Sequence, residues 1–243
     1  MHIFNRSLSL LILVTFICLF FTSTSIFAKN SPWVGQAFNG AQCQGKGTGY
    51  GPFDYTIRNQ LLDKLALVEK HHFSPNVEAL IKGESGSLLS DIDYTLRAWP
   101  NHHRALNSLS RYNLLFPKKP KLKTPVECYF QRAINFSPKD ATTSMLYAIH
   151  LHKTKRYKTA QKLYAQAIKL SPNNPVIRYN YGLLLFDLKK YALAQKQAVI
   201  AYNENFPLNG LKNKLKRVKH WPPKKLNNVN SNENKITDPV VKQ

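Results

Sequence analysis

The sequence predicts an all-α repeat fold, and three observations predict it. The stretch Ala141–Asn174 returns 34 positions later as Pro175–Leu208: Tyr157 maps to Tyr191, Ala160 to Ala194, Ala167 to Ala201, and Ala148 to Gly182. Prolines form a ladder, with Pro100, Pro138, Pro172 and Pro207 spaced by 38, 34 and 35 residues. Between them, apolar residues recur at helical and not alternating spacing. A fixed period in this range marks an array of small supersecondary units, none of which can bury its apolar face alone.

Residues 1–28 read as a signal peptide. Arg6 supplies a positive start, Leu8 to Phe21 are largely apolar, and Ser25-Ile26-Phe27-Ala28 ends on a small residue suited to cleavage. A retained anchor is the alternative, but the apolar run is short for a membrane span. Cys18 lacks the preceding small residue that lipoprotein processing needs. The expectation is export, to the periplasm or beyond, after cleavage near Ala28.

Residues 29–56 are rich in Gly, Gln and Asn and should form an irregular arm. Within it, Gly40-Ala-Gln-Cys-Gln-Gly45-Lys46-Gly47-Thr48 approaches a phosphate-binding loop. Gly47 stands where the magnesium-binding hydroxyl belongs, and no strand precedes the segment, so nucleotide binding is not expected. Residues 57–99 read as a helical N-terminal region. Ile57, Leu61, Leu65 and Val68 share one helical face. A second helix is expected from cap Ser74 and Pro75 through Val77, Leu80 and Ile81 to Gly83. A third carries Leu89, Ile92, Leu96 and Trp99.

Residues 100–208 hold the repeats: a degenerate unit at about 103–140, then 141–174 and 175–208. An insertion, Phe116–Pro125, accounts for the wide first proline spacing. A capping helix at 209–220 follows, with Leu211, Leu215 and Val218 as its apolar stripe. The tail 221–243, rich in Asn and Lys, should be disordered.

The net charge is +22. Two runs concentrate it: Arg111 with Lys118, Lys119, Lys121 and Lys123, and Lys212 to Lys225, neither containing an acid. Such charge ordinarily points to nucleic acid, which an exported protein rarely meets. Anionic polysaccharide, lipid head groups or an acidic protein fit better, beside the plain reading of a solvated surface. Cys43 and Cys128 remain after cleavage, and an even count in an oxidising compartment favours a disulfide tying the arm to the repeats. The alternative is two separate thiols.

The small, aromatic and proline positions carry a family resemblance. Ala148, Tyr157, Ala160, Ala167 and Pro172, then Gly182, Tyr191, Ala194 and Ala201, resemble the tetratricopeptide repeat, a 34-residue helix–turn–helix. The fold class implied is a tetratricopeptide-like solenoid with an irregular N-terminal arm and a C-terminal capping helix. The resemblance also implies that the first helix of each unit lines a concave groove for a peptide or partner helix. Groove positions matched to the family pattern are Asn107, Arg111, Met145, Ile149, His152, Lys153, Tyr179, Leu183 and Phe186. Of these only Asn107 and Arg111 have the character of the family's two-carboxylate clamp, so the groove should be apolar with a basic rim. The protein's own arm is an alternative occupant.

Chemistry finds little support. His71-His72, His102-His103 and His150/His152 are spaced so that their side chains diverge on a helix. Asp91 and Asp93 could join His102-His103 only if the chain folds back. No catalytic motif is present, and no cofactor or metal is expected. The expected function is a protein–protein interaction or scaffold module of the cell envelope. The alternative is a basic accessory protein that binds anionic polysaccharide or lipid head groups.

Overall fold

The computed structural model describes residues 30–221. The predicted signal segment 1–28 and all of the predicted tail beyond Trp221 lie outside the described residues. Two units divide the chain, 1–30 and 31–243; of the first, only Asn30 is among the described residues.

A 3-10 turn, Tyr55–Gln60, precedes α1 (Leu62–His72), α2 (Pro75–Glu78) and α3 (Leu88–Ala98). The degenerate unit is α4 (His103–Leu115) with α5 (Val126–Phe136), followed by α6 (Ala141–Lys153) with α7 (Tyr157–Leu170). The last unit pairs α8 (Pro175–Asp187) with α9 (Tyr191–Asn203), and α10 (Gly210–Arg217) closes the series. No helix among the described residues is long and apolar enough to cross a membrane.

The repeat shows in the helix ends as well as in the composition. The first helix of each unit begins at a side-chain cap. His102 Nδ1 accepts the Ala105 N–H, Asp140 Oδ1 accepts that of Thr143, and Asn174 Oδ1 accepts those of Val176 and Ile177. In the two regular units that helix ends on a left-handed lysine, Lys155 at φ 61° and Lys189 at φ 59°. Arg156 N–H then bonds Leu151 O and Lys190 N–H bonds Leu185 O, each at 2.8–2.9 Å, the six-to-one bond of a Schellman end. The chain therefore turns tightly into the second helix, which needs no side-chain cap of its own.

Small residues set the spacing between helices. Ala148, Ala160, Ala167, Ala194, Ala198 and Ala201 are fully buried, so backbones approach closely while Leu151, Tyr164, Ile177 and Leu184 fill the gaps. A Cβ on Gly182 would stand 2.4 Å from Leu211 Cδ2, so the glycine is matched to α10. Leu211 and Leu215 are buried on α8 and α9, and Val218 is half-buried beside them.

Two expectations upstream of the repeats need correction. Ile57 does not share a face with Leu61, Leu65 and Val68. It lies in the 3-10 turn with non-helical backbone angles and is exposed. The second helix is one turn long. Leu80 adopts φ 64°, which stops α2 before Ile81, itself 70% exposed. Ser74 does not cap it either: its hydroxyl donates to Glu84 Oε2. Local spacing there was overridden by the turn chemistry of 79–86, where Asp91 Oδ2 accepts the N–H groups of Glu84, Ser85 and Gly86.

The arm is irregular and firmly attached. A short hairpin pairs Gln36 with Gln42, and Cys43 is bonded to Cys128 of α5 across 85 residues. Arg132 is almost fully buried; it donates to Ser31 O and Leu96 O and stacks on Trp33 at 4.7 Å. Burial pushes its guanidinium down to about 10. Further on, Phe53 N–H bonds Ala98 O, and Tyr55 packs on Trp99 and His102.

Candidate functional site: the face of α4, α6 and α8

The first helices of successive units lie side by side, and their accessible positions fall in register. On α6 these are Thr142, Leu146, Ile149 and Lys153; on α8, Val176, Asn180, Leu183 and Asp187. Each set has the spacing of one helical face. Asn107 and Arg111 are exposed on α4. Leu146, Ile149 and Leu183 are half-buried, and Val176 is 40% exposed, which makes an apolar strip. Arg111 on α4 and Lys153 at the end of α6 are exposed cations of this face, and Asp187 on α8 is its exposed acid.

Two expected groove residues are not on this face. Met145 and Tyr179 are buried, Met145 in the core and Tyr179 against Phe206 at a ring distance of 4.4 Å and under Gly210. The reason is directional. Side chains lean toward the helix N-terminus, and the next first helix (α10 in the case of Tyr179) packs over that position. Leu146, Val176, Asn180 and Asp187 take their place. The helical period counted from Ala148 and Gly182 carried that signal.

His152, Phe186 and Asp187 form a joint between helices. His152 Nε2 lies 2.9 Å from Asp187 Oδ2, and Lys214 Nζ lies 3.5 Å from Asp187 Oδ1 while standing over the Phe186 ring. Burial pulls the His152 imidazole down, and the Asp187 carboxylate pulls it up; burial prevails. The same carboxylate thus links α6, α8 and α10.

The arm takes another course. Its contacts go to α1, α3, the start of α4, α5 and a different side of α6, through Lys64, Arg97, His103, Gln131, Glu127, Cys128 and His150. The segment resembling a phosphate loop is held within it, with Cys43 bonded and Gln44 O accepting from Thr124.

The histidines are distributed among separate carboxylates. His72 meets Asp91, His102 meets Glu69, and His103 meets Asp140. Asp93 instead accepts from Tyr129 and Arg97. The grouping of His102-His103 with Asp91 or Asp93 does not form. Among the described residues no three His, Cys, Asp or Glu side chains converge as metal ligands. His102 is fully buried as a helix cap; burial holds its imidazole low against the opposing pull of Glu69.

A family model described as the tetratricopeptide repeat matches residues 163–196, one full period running from within α7 through α8 into α9. No curated protein matches the chain. Helix pairs at a 34-residue period, small residues at their contacts and this match agree: residues 163–196 form a tetratricopeptide repeat within an all-helical repeat fold, a repeat that serves as a protein–protein interaction module.

Proposed function

We propose that this protein is an exported scaffold of the cell envelope that holds a protein partner on the face of α4, α6 and α8. One observation carries the reading: the strip of Leu146, Ile149, Val176 and Leu183, with the exposed cations Arg111 and Lys153 on the same first helices. An apolar strip with exposed cations suits an amphipathic segment with acidic edges. The arm's course supports it, since its contacts meet the face only at the start of α4, at His103, among the described residues. Export is supported by the pattern of Arg6, Leu8–Phe21 and Ala28 and by the Cys43–Cys128 bond, which belongs in an oxidising compartment. The reading includes no catalytic step and no cofactor.

The test is capture from envelope extract with the mature chain at low and at moderate salt. A partner held by the strip should persist at moderate salt. It should be lost, by about tenfold or more in affinity, from Ile149→Asp or Leu183→Asp. Retention by both variants would sink the proposal, as would cytoplasmic location on fractionation.

A second reading rests on the cations of α10. Lys216 and Arg217 are exposed, and Lys212 stands over Tyr202 and Trp221. Together with the Lys118–Lys123 loop they would bind anionic polysaccharide or lipid head groups. Such binding should collapse between low and moderate ionic strength.

A further inference from the structure

We propose that the pocket between the arm hairpin and the α6–α7 turn binds an anionic saccharide, recognised through a sugar-acid carboxylate. The site shares no residue with the partner face above, and it stands or falls independently of that reading.

The first wall is the hairpin, and it is pinned. Gln36 N–H donates to Gln131 Oε1 at 3.2 Å and Gln131 Nε2 returns a bond to Gln36 O at 2.8 Å. Phe38 N–H donates to Glu127 Oε1 at 2.8 Å, and the Cys43–Cys128 bond fixes the far end. The opposite wall is Lys155, Arg156 and the first turn of α7. The Schellman bond from Arg156 N–H to Leu151 O fixes the backbone there. The cavity between them has a volume of about 600 Å³, in the range of small-molecule sites, roughly 300–1,000 Å³.

Charge and ring chemistry define the ligand. Lys155, Arg156 and Lys158 are exposed along one rim, and among the described residues no carboxylate lies within ion-pairing distance of any of them. Glu127, the acid that approaches from α5, is buried and accepts the Phe38 N–H. Its charge acts after burial itself in raising the Tyr147 hydroxyl to about 12, against Arg156. His150 lies behind Phe38; burial first and Arg156 second hold its imidazole down to about 4, so it stays neutral. The net field at the rim is positive.

Phe38 is 40% exposed, with the Arg156 guanidinium 3.6 Å from its ring centre. Tyr157 supplies a second ring, Thr159 a hydroxyl and Gln36 a side-chain amide, while the Gln131 amide is taken up by Gln36 and Glu127. The Tyr157 ring to stack on a pyranose face, the Phe38 edge beside it, an amide and a hydroxyl that meet its hydroxyls, and cations that take its carboxylate make a consistent set. A fatty anion would need a deep aliphatic wall, yet the aliphatic side chain lining the pocket is Leu151, almost fully buried. A bare inorganic ion would leave most of the volume unused.

The next unit provides an internal control. Lys189, Lys190 and Tyr191 repeat the turn of Lys155, Arg156 and Tyr157, with the same left-handed lysine. No arm hairpin faces that turn, and Lys190 reaches Gln161 instead.

The experiment titrates the oxidised mature chain with trigalacturonic acid, maltotriose and inorganic phosphate at about 0.15 M salt, by calorimetry. Trigalacturonic acid should bind at least about tenfold more tightly than the other two. Arg156→Gln with Lys158→Gln, and separately Phe38→Leu, should each weaken it about tenfold or more. Lys189→Gln with Lys190→Gln should leave it unchanged, with circular dichroism confirming the fold of each variant. Absence of binding would overturn the proposal. So would equal binding of phosphate, or equal loss in the Lys189/Lys190 variant, either of which means general attraction to positive charge.

Discussion

The side chains that govern this protein are small, buried or conformationally forced. His150 is fully buried, with Ser110 Oγ 2.9 Å from its Nδ1. Its folded pKa of about 4 lies below the ordinary 6.5 because burial, and then Arg156, oppose the imidazolium. Between these values the unfolded chain binds more protons than the native one. The stabilisation is therefore present above about pH 6.5 and lost as pH falls toward about 4, by up to about 3 kcal/mol. Melting temperatures across this window should fall for the native protein and fall less for His150→Gln. Lys189 makes a different case. Its left-handed backbone costs a side chain roughly 1 kcal/mol that glycine escapes. Lys189→Gly should therefore raise stability by up to about 1 kcal/mol in chemical denaturation, while Lys189→Val should lower it.

At the scale of elements, the arm is the part whose attachment decides most. Its hairpin, the Arg132 bonds and the Asn101 knot all join segments far apart in sequence. Asn101 is fully buried and saturated: Oδ1 accepts Tyr55 N–H, and Nδ2 donates to Asp54 and Asp140. Asp140 in turn caps α6. Burial opposes its charge, but His103 and Thr143 together hold its carboxyl below the usual range. The disulfide closes this assembly over 85 residues, a constraint worth about 4 kcal/mol in the chain-entropy account. Cys43→Ser with Cys128→Ser should lose stability of that order in urea titration. Because the hairpin walls the saccharide pocket, it should also expose the arm to limited proteolysis before the repeats unfold.

For the whole molecule, stability is a chain of neighbour contacts, so the last unit depends on its cap. Leu211 and Leu215 are fully buried on α8 and α9. Truncation before Asn209 would uncover Tyr179, Leu185 and Ala198, all in the cluster that α10 closes. The truncated chain should melt lower and associate, which size-exclusion chromatography would show as a shift to higher mass. If it stayed monomeric with an unchanged melt, α10 would be an appendage and not a cap.

Much of this was readable in the chain. The period from Tyr157 to Tyr191, the proline ladder and the stripe Leu211–Leu215–Val218 determined the helix pairs and their cap, because regular helices and close contacts need those residue types at fixed spacing. Charge placement was equally plain. The upstream segment was less so: Ile57 and Leu80 follow helical spacing, but the 3-10 turn and the left-handed Leu80 remove them from it. The groove was legible only to within a position. Met145 and Tyr179 fit the family pattern, yet the lean of side chains and the next helix bury them, bringing Leu146 and Val176 to the surface. Beyond the Cys43–Cys128 tie that the cysteine count already favoured, where the arm lies was decided by tertiary structure. Gln36 and Gln131, Phe38 and Arg156, and Trp33 and Arg132 meet across about a hundred residues, and no local period encodes such contacts. Sequence by itself specified the repeating helices, since their physics is local; only the folded chain brought the arm against the α6–α7 turn, since that packing is not.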